Sequence, residues 1–189
     1  MQIVKSALWS AMTASAMMCL CAPGIAHADS TYGIQLAGGT ADHHGEEIGK
    51  VDLGLVWDPH LTWWAVGGWN FGLLGEAHAA YWNTDGNVNK RVGEFGATPV
   101  FRFEKSAGPI RPFFEAGVGV RVLTHARFTD AYTLSSAFQF ADMLGVGFTF
   151  GERQQYTLGY RFQHLSNASI KRPNPGIDFN QIYVTYMFK

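Results

Sequence analysis

Beyond residue 30 the sequence alternates apolar and polar positions with a period of two, which predicts half-buried strands rather than helices. From Trp63 to Tyr81 the odd positions read Trp, Ala, Gly, Trp, Phe, Leu, Gly, Ala, Ala, Tyr, while Asn70, Glu76 and His78 all fall on the even side. Val51, Leu53, Leu55 and Trp57 form the apolar face of the stretch before, opposite Lys50 and Asp52. Phe95, Ala97, Phe101 and Phe103 oppose Glu94, Thr98, Arg102 and Glu104; Phe114, Ala116, Val118, Val120 and Val122 oppose Arg111, Glu115 and Arg121. The pattern predicts about eight strands, over 32–40, 46–57, 62–82, 91–104, 111–122, 137–150, 154–166 and 178–188.

Two all-β architectures have one apolar and one charged face. In a soluble sandwich the charges meet water; in a small outer-membrane barrel they pair inside the lumen and the apolar face meets lipid. The connections favour the barrel. Short ones at Asp58-Pro59-His60, near Ser106-Ala107-Gly108-Pro109 and at Gly151-Glu152-Arg153 alternate with longer ones at 83–90, 123–136 and 167–177, as periplasmic turns and outer loops do. Trp57, Trp63 and Trp64 cluster on the short-turn side and Tyr81 and Trp82 on the long-loop side, as two interfacial girdles require. The expected fold is therefore all-β, an eight-stranded antiparallel transmembrane β-barrel of the outer membrane.

Composition narrows the class. The 189 residues are 47% hydrophobic and 15% charged with a net charge of −1, so there is no basic surplus for nucleic acid and no disordered composition. A helical span is also excluded, because the most apolar stretch after the leader, Trp63 to Trp82, carries Asn70, Glu76, His78 and four glycines. Residues 1–28 have the form of an export signal: Lys5, an apolar run from Ala7 through Cys21, and the small-residue end Ala26-His27-Ala28. Cleavage after Ala28 leaves 29–189 as a single barrel domain. Both cysteines, Cys19 and Cys21, leave with the signal, so the mature chain is stabilised without disulfides.

Polar residues on the lipid face are costly and mark function. On the seventh strand the face of Leu158, Tyr160 and Phe162 continues to His164 and Ser166; on the eighth, the face of Phe188, Tyr186, Val184 and Ile182 continues to Asn180 and Asp178. The loop from Asn167 to Ile177 joins these strands, so His164, Ser166 and Asp178 are expected on one patch of outer wall near the long-loop rim. A serine attacks a carbonyl when a histidine takes its proton and a carboxylate steadies that histidine. A polar rim meeting headgroups and water accounts for an isolated His-x-Ser equally well.

The run from His164 to Asp178, His-Leu-Ser-Asn-Ala-Ser-Ile-Lys-Arg-Pro-Asn-Pro-Gly-Ile-Asp, resembles the lipid A 3-O-deacylase family, the PagL-type outer-membrane esterases. The family shows a similar His-x-Ser-Asn, a following Lys-x-Pro-Asn-x-Gly and an acid just beyond the glycine. The specific likeness covers about fifteen residues, with weaker support from Pro112-Phe113, Glu115-Ala116-Gly117 and Phe140-Ala141-Asp142. The resemblance implies Ser166 as nucleophile, His164 as general base and Asp178 as the acid, with Asn167, Asn174 and Gly176 supporting activity or the oxyanion site. The family's acid is a glutamate, one methylene longer, so Asp142, an acid on the lipid side of the neighbouring strand, is the alternative.

That resemblance implies hydrolysis of the ester-linked 3-hydroxyacyl chain at position 3 of lipid A in the outer leaflet, with no metal or cofactor. His43-His44 with Glu46 and Glu47 lack the spacing of a ligand set and read as a solvated loop. Two other readings stay open: a structural or adhesive barrel, and a phospholipase-type esterase. The oligomeric state is open between monomer and homodimer.

Overall fold

Strands with one apolar and one charged face need a place for each, and closure into a cylinder supplies both. The computed structural model describes residues 30–43, 46–130 and 132–188; the expected signal at 1–28 lies outside the described residues. The elements are β1 (Thr31–His43), β2 (Glu46–Asp58), β3 (Thr62–Val66), β4 (Trp69–Thr84), β5 (Arg91–Lys105), β6 (Ile110–Leu123), β7 (Phe138–Phe150), β8 (Tyr156–Ser166) and β9 (Ile177–Met187). All pairings are antiparallel, and the β2–β4 pairing closes the ring β2-β1-β9-β8-β7-β6-β5-β4. The result is the expected eight-staved barrel.

One connection differs from the sequence reading. The stretch 62–82 is not a single strand, and Asp58-Pro59-His60 is not the turn. β2 and β3 lie in succession along β4, with Trp57 opposite Gly75 and Thr62 opposite Gly72. They form one stave interrupted at Pro59, whose missing N–H cannot continue a ladder. The chain reverses at Gly67-Gly68, with φ of +59° and +79°, as a two-residue hairpin turn demands. The apolar alternation runs through these glycines and masked the reversal. A bulge between Thr62 and Trp64 also brings Trp63 and Trp64 onto the same ring, their centroids 5.5 and 5.0 Å from that of Phe71.

The lumen is filled by a paired charge network. Glu115 accepts from Arg102 and Arg161, each at 2.8 Å, and from the Tyr183 hydroxyl at 2.7 Å. Arg161 also grips Glu76 at 2.9 and 3.0 Å, and nearer the loops Glu94 receives Lys50, Arg121 and Trp82. Buried charges persist only when paired like this. Above them an apolar plug of Ile48, Trp82, Val92, Leu165 and Phe179 is capped by Phe128 and Leu134 from the loop between β6 and β7. That loop is therefore moored in the barrel mouth, beside the upper ends of β8 and β9.

Candidate active site

Register decides which outward-facing polar groups meet. Across β7, β8 and β9, Asp142, His164 and Asp178 stand in one row, and Ser166 stands opposite Phe140 in the next row toward the loops. Their neighbours Gln163, Leu165 and Phe179 are buried in the lumen, so alternation places all four polar groups on the outer wall. The structure thus brings His164, Ser166 and Asp178 to one patch, with Asp142 on its β7 side.

His164 Nδ1 lies 2.5 Å from Asp178 Oδ1, with both side chains substantially exposed. A carboxylate can only accept, so Nδ1 carries the proton, and in the neutral imidazole Nε2 is then the nitrogen with the lone pair. Asp142 makes no bond to the ring. Direct cross-strand pairing lets the shorter aspartate at 178 reach the imidazole. The Ser166 hydroxyl, one row up on the same face, is not hydrogen-bonded to the ring; serine–histidine contacts of this kind often tighten only around substrate.

The loop from 167 to 176 is held by its asparagines. Asn167 is fully buried: its Nδ2 donates to the carbonyls of Leu134 and Lys171, both at 2.9 Å, and its backbone N–H donates to Asn174 Oδ1 at 2.9 Å. Its side chain thus ties two loops together rather than facing the serine. In this arrangement its N–H is occupied, and Asn174 Nδ2 is the remaining donor of the pair. Gly176 has φ of +70°, and a Cβ there would stand 2.6 Å from His164 Cε1, so only glycine lets the chain lie against the imidazole.

Tyr132, which sequence reasoning did not single out, donates its hydroxyl to the Gly176 carbonyl. Burial raises the Tyr132 pKa, and the nearby Asp178 carboxylate raises it further. A lone aromatic in a polar loop gave little signal in the sequence.

An apolar groove of about 310 Å³ opens on the outer wall beside this patch. Phe101, Ala116, Val118, Leu144 and Phe162 line it, together with Asp142 and His164. A polar cavity of about 200 Å³ lies inside the barrel at the short-turn end, among Glu76, Arg102, Glu104 and Arg111. The wall separates it from His164. Among the described residues, no group of three or more His, Cys, Asp or Glu is placed to hold a metal ion; His44, in the candidate ligand run, lies outside them.

The model of the lipid A 3-O-deacylase (PagL) family matches residues 49–187. The chain belongs to this family. It is 34% identical over 158 residues to the lipid A deacylase PagL of Bordetella bronchiseptica, covering 82% of this chain and 83% of the relative. With the lipid A deacylase PagL of Pseudomonas aeruginosa it shares 34% over 131 residues, covering 69% and 73%. The crystal structure of the outer membrane enzyme PagL superimposes with a TM-score of 0.70 at 28% identity, covering 80% of this chain and 98% of that one. The barrel is an outer-membrane barrel of the lipid A 3-O-deacylase family.

Proposed function

We propose that this family member is an ester hydrolase that removes the 3-hydroxyacyl chain at position 3 of lipid A, with Ser166, His164 and Asp178 as its catalytic groups. The observation that carries the reading is the Nδ1–Asp178 contact at 2.5 Å on the lipid-facing wall, one residue row from a serine and beside an apolar groove. Ser166 Oγ attacks the ester carbonyl while His164 Nε2 takes its proton, and Asp178 stabilises the imidazolium. Collapse expels the sugar oxygen, which recovers the proton from His164. Water, deprotonated by the same nitrogen, then releases the fatty acid from Ser166. Asn174 Nδ2, with backbone donors near Asn167 and Gly176, supplies the oxyanion contacts once substrate displaces the resting bonds.

The groove keeps the acyl chain in apolar surroundings while its ester meets the rim, where lipid A headgroups and water are present. No step requires a metal or cofactor. In this reading residues 1–28 are the removable signal and 29–189 the functional barrel, and lipid A in the outer leaflet is the partner.

The test is mass spectrometry of lipid A and of phospholipids after incubation with the refolded barrel in mixed micelles. Loss of one ester-linked 3-hydroxyacyl chain from lipid A is expected. Fatty acid released from phospholipids alone points to a different esterase, and intact lipids in both samples overturn the catalytic reading.

A further inference from the structure

Asn180 and Tyr160 form a polar pair on the outer wall, and the mechanism above uses neither. Asn180 lies one outward-facing position below Asp178 on β9, opposite Phe162 on β8 and Thr40 on β1. It is exposed on the face that meets hydrocarbon, where an amide is costly unless its groups are bonded. The Tyr160 hydroxyl donates to its Oδ1 at 2.5 Å. That bond turns Oδ1 toward β8 and leaves Nδ2 on the β1 side, with no partner among the described residues. Directly below, a second apolar groove of about 270 Å³ runs along β9 and β1 among Leu36, Gly38, Val51, Ile182 and Val184. Gly38 is its floor, opposite Ile182 and Val51, and a Cβ there would meet nothing within 4 Å. Tyr160 and Phe162 on β8 stand between this groove and the one beside His164.

Resting on the proposed deacylase reading, we infer that this second groove holds the amide-linked acyl chain at position 2 of lipid A, the neighbour of the ester being cut, and that Asn180 Nδ2 donates to the 3-hydroxyl of that chain. The spacing fits. Leu165 pairs with Ile177, so Ser166 stands level with Gly176, four residues above Asn180. Four residues span about 14 Å along a strand. The reach of the two side chains and one hydrogen bond of about 2.9 Å take up roughly half of that. The remainder, about 7 Å at bond lengths near 1.5 Å, passes the amide nitrogen beside the ester and meets the third carbon of the amide-linked chain. The two chains then leave the sugar on either side of the Tyr160–Phe162 ridge, the ester chain toward β6 and β7 and the amide chain toward β9 and β1. Because the surroundings are already hydrocarbon, seating the second chain gains packing and orientation rather than hydrophobic transfer. A sugar held at two points presents its ester to Ser166 in a fixed pose, and such positioning acts on rate. A lipid with the ester chain alone lacks the second point.

The experiment uses the full refolded barrel in mixed micelles and three synthetic glucosamine 1-phosphate lipids. All carry a 3-hydroxytetradecanoyl ester at O-3, and they differ at N-2, which bears 3-hydroxytetradecanoyl, tetradecanoyl or acetyl. The value of kcat/KM on each is measured for the parent, for Asn180→Leu and for Gly38→Leu, whose Cβ enters open space and whose side chain fills the groove. Heat-modifiable gel mobility confirms that each is folded. The parent is expected to prefer either long N-acyl chain to acetyl by about tenfold or more, and the hydroxylated chain to the plain one by a further several-fold. Gly38→Leu is expected to bring the first ratio near one by losing rate on the two-chain lipids. Asn180→Leu is expected to remove the preference for the hydroxyl while keeping most of the preference for a long chain. Similar parental rates on all three lipids, parental ratios in either variant, or a folded variant inactive on all three overturns the inference while leaving the deacylase reading in place. A folded parent that cleaves none of them overturns the reading beneath it, and the inference with it.

Discussion

The imidazole of His164 lies so close to Gly176 that a Cβ on that glycine would stand 2.6 Å from Cε1 and 3.2 Å from Nε2. The imidazole is thus held by the Asp178 carboxylate at Nδ1 and by the Gly176 backbone beside Cε1 and Nε2. Gly176→Ala therefore displaces the ring, and also strains a backbone at φ +70°. A misplacement of this size is expected to lower kcat by about a hundredfold. Steady-state kinetics on a variant that still shows heat-modifiable mobility checks this; parental kcat would show that the contact is unimportant.

Tyr132 acts on the same glycine from the loop above. Tyr132→Phe removes one hydrogen bond, with a net worth of about 0.5–1.5 kcal/mol, so a several-fold loss in kcat is expected with little change in stability. The pKa of the hydroxyl is raised by burial and by Asp178, so the protonated, donating form is favoured in the folded barrel. The contribution of the clasp is therefore fully present below the ordinary tyrosine range and is lost only as pH rises through the raised value. A spectrophotometric tyrosine titration should show one fewer late-ionising phenol in Tyr132→Phe than in the parent.

Asp178→Asn keeps the shape of the site but reverses the tautomer argument, since an amide can donate to Nδ1 and leave Nε2 protonated. By analogy with serine hydrolases, the loss in kcat is on the order of 10³–10⁴ with KM nearly unchanged. A variant within tenfold of the parent would remove Asp178 from the proposed mechanism.

The lumen network predicts a variant with the opposite phenotype. Glu115 accepts from Arg102, Arg161 and Tyr183, so Glu115→Leu leaves buried cations short of a partner and costs about 3–5 kcal/mol. Urea unfolding in detergent should show the loss, while activity per folded barrel stays close to the parental value because the wall separates this network from His164.

The sequence made the barrel readable because a closed sheet imposes one rule, lumen or lipid, on every strand. The Gly67-Gly68 turn escaped because alternation continues through it, and the neighbouring Pro59 marked a break in a stave rather than a reversal. Placing His164, Ser166 and Asp178 on one patch needed only strand parity. Choosing the acid needed register and rotamer: Asp142 and Asp178 are both direct cross-strand partners of His164, and only the ring's orientation separates them. The orientation of Asn167 was not legible, because a residue just past a strand end no longer obeys parity. Its side chain turns inward to Leu134.

The central claim is that a serine on the outside of the barrel attacks the ester at position 3 of lipid A. The most direct measurement is a time course of lipid A mass with the refolded parent and with Ser166→Ala, both confirmed as folded barrels, followed by fragmentation to locate the lost chain. The account predicts loss of one 3-hydroxyacyl chain from position 3 with the parent and unchanged lipid A with Ser166→Ala. Deacylation by Ser166→Ala at the parental rate, or loss of a chain from another position, would contradict it.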